Sequence, residues 1–222
     1  MNAQVLRREL HDPSIDVCSS VRDLRFRALL PSADWNALPP AVRRRFSERL
    51  AGGDSVVYAG EVIAMRRSRA GWAFCQLARL VGAPLPLFAD VGVPAVVTVT
   101  EDARTGGQIW TRMYARRNGF SQVIHSAKRF AGATGLEEYV GLGVGMALSV
   151  HVEDGALLFK SAGYFVRVAG WRVMLPRWLT PGALTVTHRD YGGGRFLFAL
   201  DVVHPQFGHF IHQAALFHEA SP

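Results

Sequence analysis

The stretch that decides the fold is residues 95–129, AVVTVTEDARTGGQIWTRMYARRNGFSQVIHSAKR. Residues 95–101 (AVVTVTE) change side every second position and are rich in β-branched side chains, which predicts a strand. Residues 102–107 supply a turn, and residues 108–116 (QIWTRMYAR) resume the strand pattern. Asn118-Gly119 is a tight-turn pair, because both residue types accept the left-handed backbone that short hairpin turns need. Residues 120–129 (FSQVIHSAKR) then read as a third strand. Connections this short join antiparallel neighbours, since a parallel pair needs a crossover of a dozen or more residues.

The same grammar continues downstream. Short strands are expected at 136–140 and 144–152, the latter with Val144, Met146, Leu148, Val150 and Val152 on one face. Asp154-Gly155 turns the chain into 156–168, and 171–175 extends or pairs with that strand. Residues 183–190 and 195–203 flank the turn Gly192-Gly193-Gly194, and 207–219 closes the chain. Upstream, 55–65 (SVVYAGEVIAM) reads as a strand interrupted by Gly60. The total is eight to ten strands with no alternating helices after residue 94, which excludes a doubly wound parallel sheet. A meander of that length curls and closes, because closure removes its edges.

Helices are expected only before and within the first strands. Residues 1–20 are weakly periodic and expected to fray. A helix is read over 21–30, capped by Ser19 or Ser20, ended by Pro31, with Val21, Leu24, Ala28 and Leu29 as its apolar stripe. Asp34 caps a turn containing Trp35, and Pro39-Pro40 opens a helix that runs to Leu50 before Gly52-Gly53. Residues 71–81 (GWAFCQLARLV) form an amphipathic helix whose face is Phe74, Leu77, Ala78 and Val81. Gly82 ends it, Pro84 and Pro86 prevent its continuation, and GAPLPLF is an extended apolar loop. The fold class expected is therefore α+β: a strongly curved antiparallel sheet or a closed, lipocalin-like β-barrel. An N-terminal helical segment, 1–53, packs on a β domain, 54–222, that carries the inserted helix 71–81. A sheet gripping a long helix is the alternative.

Composition narrows the function classes. Across 222 residues, 49% are hydrophobic and 19% charged, which excludes intrinsic disorder. Two cysteines, Cys18 and Cys75, exclude a disulfide scaffold, and Cys75 in its apolar helix reads as a buried, inert thiol. No apolar run reaches the roughly 18 residues of a membrane-spanning helix, and the first residues (MNAQVLRREL) lack a signal-peptide core, so a cytoplasmic setting is expected. The net charge of +7 is borne by arginine, with Lys128 and Lys160 the two lysines. The excess sits in 1–50 (nine basic, six acidic) and 94–130 (six basic, two acidic). Arg43, Arg44 and Arg45 are consecutive and fan over about 200 degrees of a helix, which reads as a solvated face. Nucleic-acid or acidic-membrane contact is the less favoured reading, because an electrostatic footprint needs one basic face.

Candidate chemistry comes from strand parity. Trp110, Arg112 and Tyr114 share a face that can line a pocket for an anionic head group, or face outward under the N-terminal helices. Glu137 and Glu138 are adjacent, so one points inward, and a buried carboxylate needs a partner, for which Arg112 is the natural choice. Leu158, Lys160, Ala162, Tyr164, Val166 and Val168 are placed together, with Tyr164 a polar tip in an apolar cavity. Leu184, Val186, His188 and Asp190 share one face, and Arg195, Leu197, Ala199, Asp201 and Val203 another. His188 and Asp201 are expected to meet across their hairpin. His204, His209, His212 and His218 invite a metal reading, but His209 and His212 fall on opposite faces of a regular strand, and no metal-ligand spacing is present. No metal or cofactor is expected. Gly141, Gly143 and Gly145 precede a strand rather than a helix, so they read as a bend and not a phosphate loop.

Several segments together carry a resemblance: FRALLPSADWNALPPAVRRRF, VTVTEDARTGGQIWTRMY, EEYVGLGVGMALSVHVEDGALLF and LPRWLTP. Over most of residues 24–218 the chain resembles a bacterial domain of unknown function, the 4166 family. Members of that family occur alone or behind a saccharopine-dehydrogenase-like or epimerase-like nucleotide-binding region. The resemblance implies no established activity. It does imply an accessory role docked on an NAD(P)-dependent oxidoreductase as one reading.

The function expected from the architecture is binding of a hydrophobic or amphipathic small molecule in a barrel cavity. Trp110, Arg112, Tyr114 and Tyr164 are the binding candidates, with helix 71–81 and the loop GAPLPLF as lid or mouth. That reading calls for a cavity above about 300 Å³. The alternative is an isomerase- or hydrolase-type enzyme in the same cavity, using Glu138, His188 or Asp201.

Overall fold

The computed structural model describes residues 22–50, 54–80, 82 and 85–219. The readings at 1–21, 51–53, 81 and 83–84, among them Cys18, the Ser19 or Ser20 cap and Val81, lie outside the described residues. Among the described residues, eleven strands follow one another as an antiparallel meander: β1 (Ser55–Arg67), β2 (Val93–Asp102), β3 (Gly107–Tyr114), β4 (Gln122–Arg129), β5 (Glu137–Gly141) and β6 (Val144–Glu153). Then come β7 (Ala156–Val168), β8 (Trp171–Met174), β9 (Ala183–Gly192), β10 (Arg195–His204) and β11 (Gly208–Glu219). The sheet order is β6-β5-β4-β3-β2-β1-β11-β10-β9-β7-β8, and β6 also pairs with β7. Ten strands thus close into a barrel, with β8 as an appended eleventh. No long helix is gripped by the sheet among the described residues.

β7 makes closure work by dividing its outer edge. Leu157 to Lys160 pair with β9, while Phe165 to Val168 pair with β8. Its other edge pairs with β6 along nearly its whole length, with Ala162 bulged out of register. That bulge splits the single face expected for Leu158, Lys160, Ala162 and Tyr164. Phe159, opposite Val186, points into the lumen, and Lys160 points out to Glu153 at 2.5 Å. A single extra residue re-aims every side chain after it.

The helices are shorter than their sequence pattern suggests. Three one- to two-turn helices, α1 (Arg25–Ala28), α2 (Ser32–Ala37) and α3 (Pro40–Arg45), cover one end of the barrel. Pro31 and Pro39 stand just before α2 and α3, and Pro40 occupies the first turn of α3, where a missing N–H costs nothing. Phe26, rather than the exposed Leu24, is the buried anchor of α1, with its ring 5.2 Å from Phe46 and 4.9 Å from Phe130. Full burial of a phenyl side chain contributes about 1.5–3 kcal/mol. Arg25 fixes the same segment by bonding the Gly106 carbonyl at 2.5 Å and Asp23 at 2.7 Å.

The opposite end is crossed by α4 (Arg69–Leu80), which starts against β11 at Phe210 and leads to Gly82 beside Gly141 and Leu142 on the far wall. Gly71 lies so close to the Phe210 carbonyl that a Cβ would collide with it. The helix buries Gly71, Cys75 and Ala78 and leaves Leu77 in solvent, a narrower face than expected. Small residues win that face because they let the helix backbone approach the barrel rim. Burial pushes the Cys75 thiol up to about 11, so the expected inert thiol is what the fold contains.

Candidate ligand-binding site in the barrel lumen

Alternation along β3, β4 and β5 brings one set of side chains into the lumen. Trp110 lies opposite Ser126, Arg112 opposite Ile124, and Lys128 opposite Glu138. Across β2, Arg112 faces Val97. Trp110, Arg112 and Tyr114 all line an interior cavity, together with Glu138.

Glu138 is the hub of the polar groups. Lys128 Nζ donates to one carboxylate oxygen at 2.9 Å, and Arg112 Nη2 to the other at 3.4 Å. Arg112 Nη1 donates to Ser126 Oγ at 3.0 Å. Most of the remaining wall is apolar, from Val97, Met146, Phe159, Val186, Phe198 and Phe217, with Gln213 and His125 as further polar groups. Burial by itself would raise the Glu138 pKa, but Lys128 and Arg112 outweigh it and hold the carboxyl at about 2. Lys128 is only 3% exposed, and burial depresses its pKa despite the carboxylate beside it. Two cations face one anion, which leaves the cluster one positive charge in excess.

Lys128 is the residue that sequence reasoning missed. The binding candidates expected from the sequence are Trp110, Arg112, Tyr114 and Tyr164, with no lysine among them. The signal was present, since Ile124, Ser126 and Lys128 alternate in step with Trp110 and Arg112. The aromatic walls explain why a lysine is tolerated there: its ammonium lies 5.0 Å from the Trp110 ring centre and 5.6 Å from that of Phe159.

The cavity measures about 110 Å³, well short of the 300 Å³ expected. Aromatic rings fill the space: Trp110 meets Phe198 edge-on at 5.7 Å, and Phe198 meets Phe217 at 6.0 Å. At the α4 end it is lined by Leu85 and Pro86 of the expected loop. That loop is held by Gln122, whose amide oxygen accepts from Leu87 N at 2.9 Å and whose amide nitrogen donates to Leu85 O at 2.8 Å. Arg67 adds a bond to the Leu87 carbonyl.

The other candidates are dispersed. Tyr164 sits opposite Met146, but its hydroxyl is committed to the Gly182 carbonyl at 3.0 Å and it does not line the cavity. Burial pushes it up to about 12. His188 and Asp201 do not meet. His188 pairs with Phe198 and Asp201 with Thr185, three positions away, so they face opposite sides of the sheet. His188 is 1% exposed, stacks on Phe196 at 4.8 Å, and has no hydrogen bond to either ring nitrogen among the described residues. Burial, aided by the charge of Arg45, lowers it to about 3. Asp201 lies on the outer face, 2.7 Å from His212 Nδ1. The three catalytic candidates therefore occupy three separate surroundings.

Bulges and turns place the remaining candidates. The register of β11 skips Phe210, so His209 and His212 border one outer depression with Arg66, Arg67 and Asp201 instead of opposite faces. No group of three metal-capable side chains forms among the described residues. Glu137 faces outward but is covered: Tyr139 donates to it at 2.8 Å, and Arg172 approaches at 3.1 Å. Gly141 and Gly143, around Leu142, take positive φ and form the expected bend.

A family model described as Domain of unknown function (DUF4166) matches residues 38–217. The chain belongs to that family. No curated protein and no solved structure matches it. The DUF4166 match begins just before α3 and ends within β11, so it contains the whole lumen cluster of Trp110, Arg112, Lys128 and Glu138.

Proposed function

We propose that this barrel binds a compact amphipathic small molecule, with its apolar part against Trp110, Phe159 and Phe198 and an anionic head at Arg112. The carrying observation is the buried Arg112–Lys128–Glu138 cluster, one positive charge in excess in a mostly apolar wall. An uncompensated cation in a low-dielectric site favours a carboxylate or similar group over water. Size narrows the class further. A cavity of about 110 Å³ is nearer the roughly 150 Å³ that admits one benzene than the space a drug-sized ligand needs. The inserted group is therefore no larger than a small ring or a short alkyl segment, with any longer tail leaving past Leu85 and Pro86. Glu138 acts as the charge partner that orients both cations. A carboxylate held at about 2 is too weak a base for proton abstraction near neutral pH.

Native mass spectrometry of the purified chain, with thermal melting against a series of short aliphatic and aryl carboxylates, tests the proposal. The expected result is a melting-temperature rise for the carboxylates, absent for the matching alcohols and amides and abolished in Arg112→Met. A chain that shows no adduct and no shift with any carboxylate would end this reading.

A further inference from the structure

In a closed meander, alternate connections share an end of the barrel. The α4 end collects those between β1 and β2, β3 and β4, β5 and β6, β7 and β8, and β10 and β11. The connection between β8 and β9 returns to the same end, where Gly182 packs against the Val203 carbonyl and His204. Five of these six connections carry a large apolar side chain that is at least 64% exposed, namely Leu80, Phe120, Leu142, Trp178 and Phe207, and Trp171, 78% exposed, opens β8 directly after the sixth. None of the four connections at the opposite end carries one among the described residues; Leu24 at 56% and Tyr191 at 57%, near the end of β9, are exposed close to it. The outer face of α4 adds Trp72 and Leu77.

Exposed arginines accompany the tips. At the helix-covered end Arg25, Arg44, Arg45 and Arg129 are matched by Asp23, Glu219 and Asp102, while Arg27 and Arg195 are exposed without an ion pair to any described residue. At the α4 end, Arg66, Arg69, Arg79 and Arg177 are exposed and make no ion pair with any described residue. Arg79 and Arg177 stand directly beside the tips Leu80 and Trp178.

We propose that the α4 end of the barrel docks on the surface of an anionic lipid bilayer. The six tips enter the interfacial layer, α4 lies along it, and the free arginines meet lipid phosphates. Tryptophan is favoured at that depth because its ring is apolar while its N–H stays hydrated, and arginine stems cross apolar surface while the head reaches water. A folded protein partner fits less well, since the apolar groups stand on six separate tips ringed by unpaired cations rather than on one continuous face. This inference stands on the surface alone and does not depend on what fills the lumen.

Sedimentation of the full chain with vesicles tests it, using phosphatidylcholine alone or with about 30% phosphatidylglycerol, at about 0.1 M salt. Binding to the anionic vesicles is expected, with a blue shift in tryptophan emission and release at high salt. The variant Phe120→Ser/Trp171→Ser/Trp178→Ser alters only exposed positions and is expected to keep the wild-type circular dichroism while losing roughly 100-fold in partitioning. Arg79→Glu/Arg177→Glu is expected to lose at least about 10-fold on anionic vesicles alone. The proposal is overturned if neither vesicle type pellets the chain, or if both folded variants bind like the parent. It is also overturned if the triple variant abolishes self-association while vesicle binding is absent throughout.

Discussion

Replacing Glu138 by glutamine removes the one anion from the lumen and leaves Arg112 and Lys128 facing each other without it. The cost can be worked from two directions. Breaking a buried ion pair by deleting one partner typically destabilises by about 3–5 kcal/mol, because the remaining charge has lost its water and its counterion. Separately, a carboxyl at about 2 in the folded state against 4.5 unfolded corresponds to roughly 3 kcal/mol of preferential stabilisation of the charged form. The two agree on about 3 kcal/mol. For a chain of this size each kcal/mol moves the melting temperature by about 2–4 °C, so Glu138→Gln is expected to melt about 10 °C lower. The pH dependence has a definite sign. The folded pKa lies below the unfolded one, so the contribution is complete above about pH 5 and is lost as pH falls towards about 2. Thermal and urea unfolding followed by circular dichroism at pH 7, 5 and 3 reads both effects: the gap between parent and variant should hold from pH 7 to 5 and narrow to about half or less by pH 3. Adding Lys128→Met to Glu138→Gln should recover most of the loss, since the pair is then absent rather than broken. A loss below about 1 kcal/mol at pH 7, or a gap that stays constant to pH 3, would refute the account of the cluster.

His188→Phe places an apolar ring among Phe46, Phe196 and Phe198 in place of an imidazole with no hydrogen bond. Because His188 is held at about 3 against 6.5 unfolded, its neutral burial is fully stabilising above about pH 6.5 and costs roughly 2 kcal/mol by pH 5; the variant should be the more stable protein at pH 5, and equal acid sensitivity would contradict this. Gly71→Ala drives a methyl group into the Phe210 carbonyl and is expected to cost about 1–3 kcal/mol in urea unfolding; an unchanged midpoint would show that α4 does not sit as close as described. Asp201→Asn removes an outer-face pair with His212 and should change stability by less than about 1 kcal/mol, with carboxylate-induced melting shifts untouched; a lost shift would place Asp201 at the lumen site.

The legible part of the site was the part governed by parity within one strand. Trp110, Arg112 and Tyr114 were placed together because they are two residues apart, and the inward one of Glu137 and Glu138 was given Arg112 because a buried carboxylate needs a cation. The misplacements each trace to a bulge or to a register set elsewhere. Ala162 shifts β7, so Lys160 leaves the lumen side and Phe159 enters it. Phe210 shifts β11, which reunites His209 and His212. His188 and Asp201 were paired by inspecting each strand's own pattern, whereas the Asp201–Thr185 register puts them on opposite faces.

What the sequence determined by itself is the local grammar: a run of antiparallel strands, a helix opened at Pro39-Pro40, a bend at Gly141–Gly143, and which side chains of a strand go together. These follow from neighbours within a few residues, where sterics and alternation act. The tertiary structure alone decided how the meander closes through β6 and β7, where single residues bulge, and that Lys128 joins Arg112 at Glu138. It also decided how little room the aromatic rings leave, and that six apolar tips gather at one end. Those outcomes depend on the pairing of residues far apart in the chain. There, a one-residue slip turns a whole strand inside out, so no single segment contains the answer.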